Sequence, residues 1–378
     1  DVVDQGVLTD YTTPAGEREK LDIPLNASRI YGESYVNLYV QYKEDTFYAK
    51  AGDEVYRTQM SVSREIYCPE DAFAPEGVSL ALSEDGDQII VRGNGFEAIY
   101  HKKNGAFCHV VKDGITVFEG GREEFYRAMT GIDEGTRETD PHRNYKSYWR
   151  SFGLDRLQKQ VKNIRAYGAG DQVILEETAG FYPGGTDSTA KDGAGQSCPV
   201  IRTCTRYFIS SSRMEISSRV INQSGAQTIP RIGRVFKLNR ALNQVTWYGR
   251  GPWENYCDRK DSALIGKYTD TTEHMHAHFP VPCECGGHGD VRYVQISDGQ
   301  HQLKVTGGED FHFSALPYSM EQYENASYED ELGESTATWL TIDACHTGLG
   351  GDTGWMRNIH PEYFIRPGIY QYTLKLDY

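Results

Sequence analysis

The sequence predicts a mainly β protein, with a short β domain followed by a large antiparallel β-sandwich. Tyrosine (26 residues) and glycine (39 residues) are abundant in the 378-residue chain, and aromatic and β-branched residues favour strands. Asn-Gly and Asp-Gly pairs recur between apolar runs, and these pairs accept the positive φ of tight hairpin turns. The length predicts two to three domains, with ample material for a core.

Charge and hydropathy exclude two classes of partner. Asp and Glu (54) outnumber Lys and Arg (39), which gives a net charge of -15. A negative field repels phosphate backbones and anionic lipid, so we expect no nucleic-acid or membrane partner. No apolar run approaches the ~18–20 residues of a membrane span. The eight cysteines leave the compartment, cytoplasmic or periplasmic, undecided.

The first domain, residues 1–70, shows strand periodicity. Residues 34–43 alternate in the manner of a half-buried strand, and turns are predicted at residues 14–16 and 52–53. About four strands are expected, fewer than the ~7 of an immunoglobulin-like sandwich. We therefore interpret this part as a partial immunoglobulin-like domain, and the Pro-containing acidic segment 69–77 as a linker.

The second domain, residues 71–378, begins with regular hairpin signals. Turn pairs fall roughly every ten residues, which is typical of an antiparallel meander; they are Asp85-Gly86-Asp87, Asn94-Gly95, Asn104-Gly105 and Asp113-Gly114. Aromatic and apolar residues at helical intervals between Tyr145 and Val161 predict one helix near 143–160. Strands are expected again from Val173, followed by a polar loop at 183–199, and the alternation of residues 370–376 predicts a last strand.

A histidine- and cysteine-rich segment is the first candidate for chemistry. His274, His276 and His278 alternate, and Cys283 and Cys285 follow closely. Alternate side chains of a strand share a face, so these residues could bind a metal ion or form a solvated face. A disulfide among Cys257, Cys283 and Cys285 is a further alternative. We assign no metal ligand here, and both questions stay open.

Two other segments are rich in residues that bind sugars or pack in cores. Residues 348–355 read Gly-Leu-Gly-Gly-Asp-Thr-Gly-Trp, and residues 247–259 hold two Trp, two Tyr, a Glu and two Arg. A Trp after such a loop can stack on a sugar or pack in the core. Glycoside hydrolysis needs two carboxyl groups at a set separation, and no pair stands out in this sequence, so no catalytic residue is assigned.

These segments, in this order, resemble the C-terminal region of the long bacterial β-galactosidases of glycoside hydrolase family 2. The matching motifs cover nearly the whole chain and are Ala51-Gly52-Asp53-Glu54-Val55, Phe125-Tyr126-Arg127-Ala128 with Thr130, Pro230-Arg231-Ile232-Gly233, Gly249-Arg250-Gly251-Pro252-Trp253-Glu254-Asn255-Tyr256, residues 258–263, 290–292, 313–316 and 342–346, and the loop 348–355. The resemblance implies the end of an immunoglobulin-like fourth domain and a fifth β-sandwich similar to galactose mutarotases.

The resemblance also implies a role at the side of an active site. The family's catalytic glutamates, its Mg²⁺ (with Na⁺ as a second candidate) and most of its sugar contacts lie in a (β/α)₈ barrel that this sequence does not resemble. We expect Trp355 to stack on the leaving-group sugar of a β-galactoside such as lactose. Asp352 and His346 are further candidates for substrate contact, and the mouth loop is expected to include Thr130, Asp133 and Gly135.

Three departures from the family pattern affect this region. Gly131 and Ile132 replace an Asp and an Asn, Cys283 and Cys285 flank Glu284 in an altered segment, and Cys257 replaces a Pro. The two changes that introduce cysteine favour a disulfide over a metal site.

The resemblance predicts the C-terminal portion of a retaining β-galactosidase, cut within the fourth domain and inactive alone. It would partner the barrel portion of the same enzyme and form homo-oligomers at full length. The small subunit of a two-chain enzyme, a stand-alone carbohydrate-binding module and a mutarotase are the alternatives.

Overall fold

The computed structural model describes residues 2–9, 11–26, 32–64, 80–135, 140, 142–184, 198–352 and 356–378. The chain divides into two compact units, Asp1–Ala72 and Phe73–Tyr378. The predicted linker 69–77 lies outside the described residues, so this boundary stays a prediction.

The first unit contains one antiparallel hairpin. Strand β1 (Glu33–Gln41) pairs with β2 (Glu54–Arg64), with Leu38 opposite Thr58. The strand predicted at 34–43 is confirmed. These are the two strands among the described residues of this unit, rather than the four that the sequence suggested.

The second unit is a large antiparallel β structure, which confirms the predicted fold class. In its described residues the strands are β3 (Ala81–Asp85), β4 (Gln88–Gly93), β5 (Phe96–His101), β6 (Ala106–Lys112), β7 (Ile115–Glu124), β8 (Leu157–Ala169), β9 (Gln172–Pro183), β10 (Ile201–Ile209), β11 (Arg213–Asn222), β12 (Arg231–Asn239), β13 (Gln244–Gly251), β14 (Leu264–Thr271), β15 (His288–Ser297), β16 (Gln302–Leu316), β17 (Ala337–His346) and β18 (Gly368–Asp377).

The strands form one continuous hydrogen-bonded path. Its order is β3-β4-β5-β6-β7-β12-β17-β16-β18-β11-β10-β9-β8, while β15 pairs with β16 and with β13, and β13 pairs with β14. The end strands β3 and β8 lie against each other. The rings of Tyr100 on β5 and Tyr207 on β10 are 5.7 Å apart, and Phe107 on β6 lies 5.3 Å from Tyr207. The two halves of the path therefore pack face to face around an apolar core.

The predicted meander at the start of this unit is confirmed. The four predicted turns connect the consecutive strands β3 to β7. Gly86, Gly95, Gly105 and Gly114 all have positive φ, between 54° and 82°, which is the conformation that the Asn-Gly and Asp-Gly signals predict. The last predicted strand corresponds to β18.

Helices are short in the described part of the chain. They are α1 (Gly131–Glu134), α2 (Tyr145–Ser151), α3 (Thr272–Met275) and α4 (Met320–Asn325), with 3₁₀ turns at Leu154–Arg156, Glu329–Leu332 and Pro361–Tyr363. None of them has the length and apolarity that crossing a membrane requires.

The helix predicted at 143–160 is too long. The side chain of Asn144 caps α2, and the helix ends before Gly153, which has a φ of 69°. A Cβ built on Gly153 would lie 2.5 Å from Pro183 Cβ, so this position also requires glycine on steric grounds. From Leu157 the chain pairs with β9 as strand β8.

Candidate functional site

Three strand ends bring the predicted site segments together. Strand β12 pairs antiparallel with both β7 and β17, so its start lies beside the ends of the other two. Arg231 at the start of β12 is opposite His346 at the end of β17, and Gly233 is opposite Glu124 at the end of β7. The loops after β7 and β17, which hold the mouth-loop and Gly-rich residues, therefore leave the same end of the sheet.

Arg127 joins these two loops. Its Nη2 donates to Asp133 Oδ1 (2.8 Å) and its Nε donates to Asp133 Oδ2 (3.2 Å). The same guanidinium donates to the backbone carbonyls of Thr347 and Gly348, both at 3.2 Å. Arg127 and Asp133 are fully buried, and Arg127 also lies 5.2 Å from the ring centroid of Trp149. One side chain thus fixes the spacing between two loops.

The predicted mouth-loop residues form the short helix α1 and its caps. Thr130 is the N-cap: its hydroxyl accepts from the Asp133 backbone N–H, and the Asp133 carboxylate accepts from the Thr130 backbone N–H. This reciprocal capping box satisfies amide groups that a helix start leaves free. Gly135 ends the helix with a φ of 56°. Asp133 is therefore a structural group of the loop, facing Arg127 rather than solvent.

The Gly-rich loop is held from the other side by Asp258. Its Oδ2 accepts from the Gly350 backbone N–H at 2.7 Å. A Cβ built on Gly348 would lie 2.4 Å from that same oxygen, which explains the glycine there. A Cβ built on Gly351 would lie 3.5 Å from Ile132 Cδ1, so this loop touches α1. The segment 247–259 thus contributes to the site through Asp258.

Buried charges lie beneath the loops. Arg231 Nη2 donates to Glu284 Oε1 at 2.5 Å, and its Nε lies 3.7 Å from Asp343 Oδ1. His312 Nδ1 lies 3.2 Å from Asp343 Oδ2, and the rings of His312 and His346 stack with centroids 4.6 Å apart. All five side chains are at least nine-tenths buried. Charges this deep remain only when they are paired.

Burial and pairing shift the pKa values of this cluster. Burial lowers the pKa of His346 to about 3, opposed by Glu284 and assisted by Arg231 and Arg127. Burial by itself would raise the pKa of Glu284, but Arg231, His346 and Arg127 hold that pKa well below its usual value. At neutral pH the histidine is therefore neutral and the glutamate ionised.

The residues predicted to contact substrate differ in their exposure to solvent. His346 is buried, and its Nδ1 donates to the Thr347 carbonyl at 2.8 Å. Asp352 is exposed, with Oδ2 2.5 Å from His360 Nε2. Trp355 lies outside the described residues. The structure thus brings Thr130, Asp133 and His346 into one network through Arg127 and Thr347, whereas Asp352 pairs with His360 at the surface.

Sequence reasoning assigned no role to Arg127, Arg231 or Asp258. Each lies within a motif that carried the family resemblance. One sequence feature could have drawn attention to the two arginines. Each stands among apolar or small residues within its motif, and a charge in such a segment needs a partner when it is buried. Their partners are six residues away in one case and over fifty in the other, and such spacing follows no local rule.

The structure favours neither the disulfide nor the shared strand face that the sequence left open for the cysteine-rich segment. Cys257, Cys283 and Cys285 are all free thiols, so the disulfide is absent. His274, His276 and His278 do not share a strand face either, because His274 lies in α3 and His276 ends it. The hydroxyl of Thr271 caps α3, which ends the alternation that the sequence suggested.

Comparison with known families shows to which protein family the chain belongs. The family model described as beta galactosidase small chain matches residues 92–376. The chain belongs to this family. It is 30% identical over 351 residues to the β-galactosidase of Vibrio cholerae, with 91% of this chain and 32% of that protein covered. It is 28% identical to the β-galactosidase of Priestia megaterium, covering 88% of this chain and 30% of that protein.

The chain spans about a third of the length of these curated relatives. Among solved structures it is similar to a putative aldose 1-epimerase from Escherichia coli (TM-score 0.37, 10% identity, 80% of this chain and 99% of that chain). It is also similar to a galactose mutarotase-like protein from Lactobacillus casei (TM-score 0.38, 10% identity, 79% and 99%).

Proposed function

We propose that this chain is the non-catalytic portion of a retaining β-galactosidase of glycoside hydrolase family 2, and that it lines the aglycone side of the active site. The family match over residues 92–376 carries this proposal. The catalytic glutamates, and the Mg²⁺ or Na⁺ that the resemblance implies, would belong to a barrel-containing portion.

The pairing of the carboxylates in the candidate site favours a structural role for this chain over a catalytic one. Retaining hydrolysis needs two carboxyl groups about 5–5.5 Å apart, both facing the sugar. Here Asp133 is held by Arg127, Glu284 by Arg231 and Asp258 by a backbone amide. Because Asp133 and Glu284 are paired with buried arginines and Asp258 accepts from the Gly350 amide, we expect these acids to hold the loops rather than to donate a proton to a leaving group.

The rigid loop pair supports the aglycone role. Arg127 connects α1 to the Gly-rich loop, and Asp258 fixes that loop from behind. An aromatic side chain supported by such a loop would offer a flat apolar face at little cost in rotamer entropy. We propose that Trp355 is that side chain, that Asp352 lies at the rim, and that the substrate is a β-galactoside such as lactose.

Complementation tests this function. The purified chain is mixed with the Vibrio cholerae enzyme lacking its matching third, and hydrolysis of a chromogenic β-galactoside is measured. The missing third of that enzyme serves as the positive control. We expect no hydrolysis by the chain alone and restored hydrolysis in the mixture. Activity of the chain alone, or failure to restore activity when the control succeeds, contradicts the proposal.

The role of Trp355 is tested in the restored complex. Trp355→Ala should raise KM roughly ten-fold, equivalent to about 1.4 kcal/mol of lost stacking. Tyr167→Ala, which removes a partly exposed aromatic ring on β8, serves as the control and should leave KM unchanged. Equal KM values for both variants would remove Trp355 from the proposal.

The small subunit of a two-chain enzyme is the second candidate, favoured by the description of the matching family. In that case the separate chains should form a stable complex at micromolar concentration. A chain that restores activity only when fused to the barrel portion would instead indicate one long polypeptide.

A further inference from the structure

A second group of donor side chains contains none of the residues of the candidate site. His276 ends α3, His278 follows in the next loop, and Glu329 begins the 3₁₀ turn Glu329–Leu332. Their nearest ligand atoms all lie within 4.8 Å of one another. Two imidazoles and one carboxylate are the donor set of many sites for divalent transition metals.

His276 has its two ring nitrogens in different environments. Nδ1 lies 2.8 Å from the Tyr323 hydroxyl. The hydroxyl oxygen is placed to accept from Nδ1–H in the tautomer that suits metal binding. Nε2 then carries the lone pair, and this buried atom makes no hydrogen bond. Its neighbour is Glu329 Oε1 at 3.5 Å.

His278 and Glu329 complete the group from the solvent side. His278 Nδ1 contacts Glu329 Oε1, and the rings of His276 and His278 are 4.8 Å apart at an angle of 71°. The side chains of His278 and Glu329 are 71% and 40% exposed, so both can adjust their rotamers. Around a tetrahedral Zn²⁺ the donor atoms lie about 3.3–3.5 Å apart, a separation that His276 and Glu329 already have.

Local charge separates this group from the other histidine–carboxylate group. His312, Asp343 and His346 also approach within 4.8 Å, but the Arg231 guanidinium lies 3.7 Å from Asp343 and would repel a cation. Around His276 the neighbouring groups are the Glu329 carboxylate and the second imidazole, His278. The groups that act most strongly on Glu329 are likewise the two histidines.

We propose that His276, His278 and Glu329 form an open three-ligand site for a divalent transition metal, with Zn²⁺ as the natural candidate. The exposed side leaves a fourth position for water or another donor. Tyr323 acts as the outer partner that fixes the ring of His276. The bound ion would tie the loop after α3 to the 3₁₀ turn at Glu329. This inference is independent of the proposed β-galactosidase role.

Binding of Co²⁺ and Zn²⁺ by the intact chain tests the site. The chain is first treated with chelator and reductant, then titrated with Co²⁺ while the visible spectrum is followed, and Zn²⁺ is added as competitor. We expect one Co²⁺ per chain with a spectrum of nitrogen and oxygen ligation. An intense thiolate-to-cobalt charge-transfer band would instead assign the binding to cysteines and overturn the proposal.

Matched variants locate the ion. His278→Ala and Glu329→Gln, both at exposed positions, should weaken binding at least ~100-fold, and Tyr323→Phe should weaken it about 10- to 100-fold. His274→Ala is the control, because His274 is 83% exposed and faces Asp270, and its affinity should match the wild type. Equal affinity of the wild type and His278→Ala overturns the proposal.

Discussion

The guanidinium of Arg127 holds both carboxylate oxygens of Asp133, and neither side chain has any exposed surface. Removing one member leaves an uncompensated buried charge. We expect Arg127→Leu to lower the free energy of unfolding by about 3–5 kcal/mol. Urea denaturation measures this loss.

The double variant Arg127→Leu/Asp133→Leu provides the sharper comparison. It removes both charges, so it should lose less stability than the sum of the two single variants. Arg92→Ala is the control, because it breaks an exposed ion pair with Glu97 and should cost less than about 1 kcal/mol. Additive losses would show that the pair is not coupled.

Asp258 should control the shape of the Gly-rich loop. Asp258→Asn weakens the charge-assisted bond to the Gly350 amide, and we expect a loss of about 1–2 kcal/mol. In the complemented enzyme, KM should rise together with this loss, because the loop no longer has one fixed position. Asp298→Asn, at an exposed turn, is the matched control. A rise in KM with both variants would mean that the effect is not specific to the loop.

Stability should depend on pH through two buried histidines. Burial lowers the pKa of His288 to about 4 and that of His346 to about 3, while the unfolded value is about 6.5. The unfolded chain therefore binds more protons between these values. The contribution of these two histidines to the free energy of unfolding is fully present above pH 6.5 and is lost as the pH falls towards 3–4.

Urea midpoints between pH 4 and pH 7 measure this dependence. His288→Gln should reduce its slope, whereas His301→Gln, at an exposed turn, should leave the slope unchanged. A wild-type midpoint that stays constant over this range would contradict the assignment.

The free cysteines should differ sharply in reactivity. Burial raises the pKa of Cys257, Cys283 and Cys285 to about 12, and the thiolate is the reactive form. Cys108 and Cys204 are exposed. Brief alkylation of the native chain, followed by peptide mass mapping, should label Cys108 and Cys204 and spare the three cysteines with raised pKa. A Cys257–Cys283 crosslink in non-reduced peptides would contradict the free-thiol assignment.

Patterns of adjacent residues predicted the meander of β3 to β7 but not the end of helix α2. The turns of β3 to β7 are specified by adjacent residues, so a sequence reader can find them. Leu157 and Val161 misled the helix prediction because a spacing of four fits one helical turn and also two repeats of a strand. Pairing with β9 decided between the two, and pairing is not visible in one segment.

The candidate site was predictable only in its loops. The Gly-rich segment and Thr130 stand out locally, through glycine density and a capping pattern. Glu284 and Arg231 lie fifty-three residues apart, and His278 and Glu329 fifty-one. Such partners meet only because strands far apart in sequence become neighbours in the sheet. Rules that use adjacent residues cannot predict these contacts.

Arg127 reaches the loop after β17 through the main-chain oxygens of Thr347 and Gly348, and not through their side chains. Any residue supplies a carbonyl group, so these hydrogen bonds use no side chain of the loop, although position 348 has room only for glycine. The residues beyond Gly350 could therefore be exchanged for those of a homologue while the attachment point is retained, and under the proposed function this exchange would change the preferred leaving group.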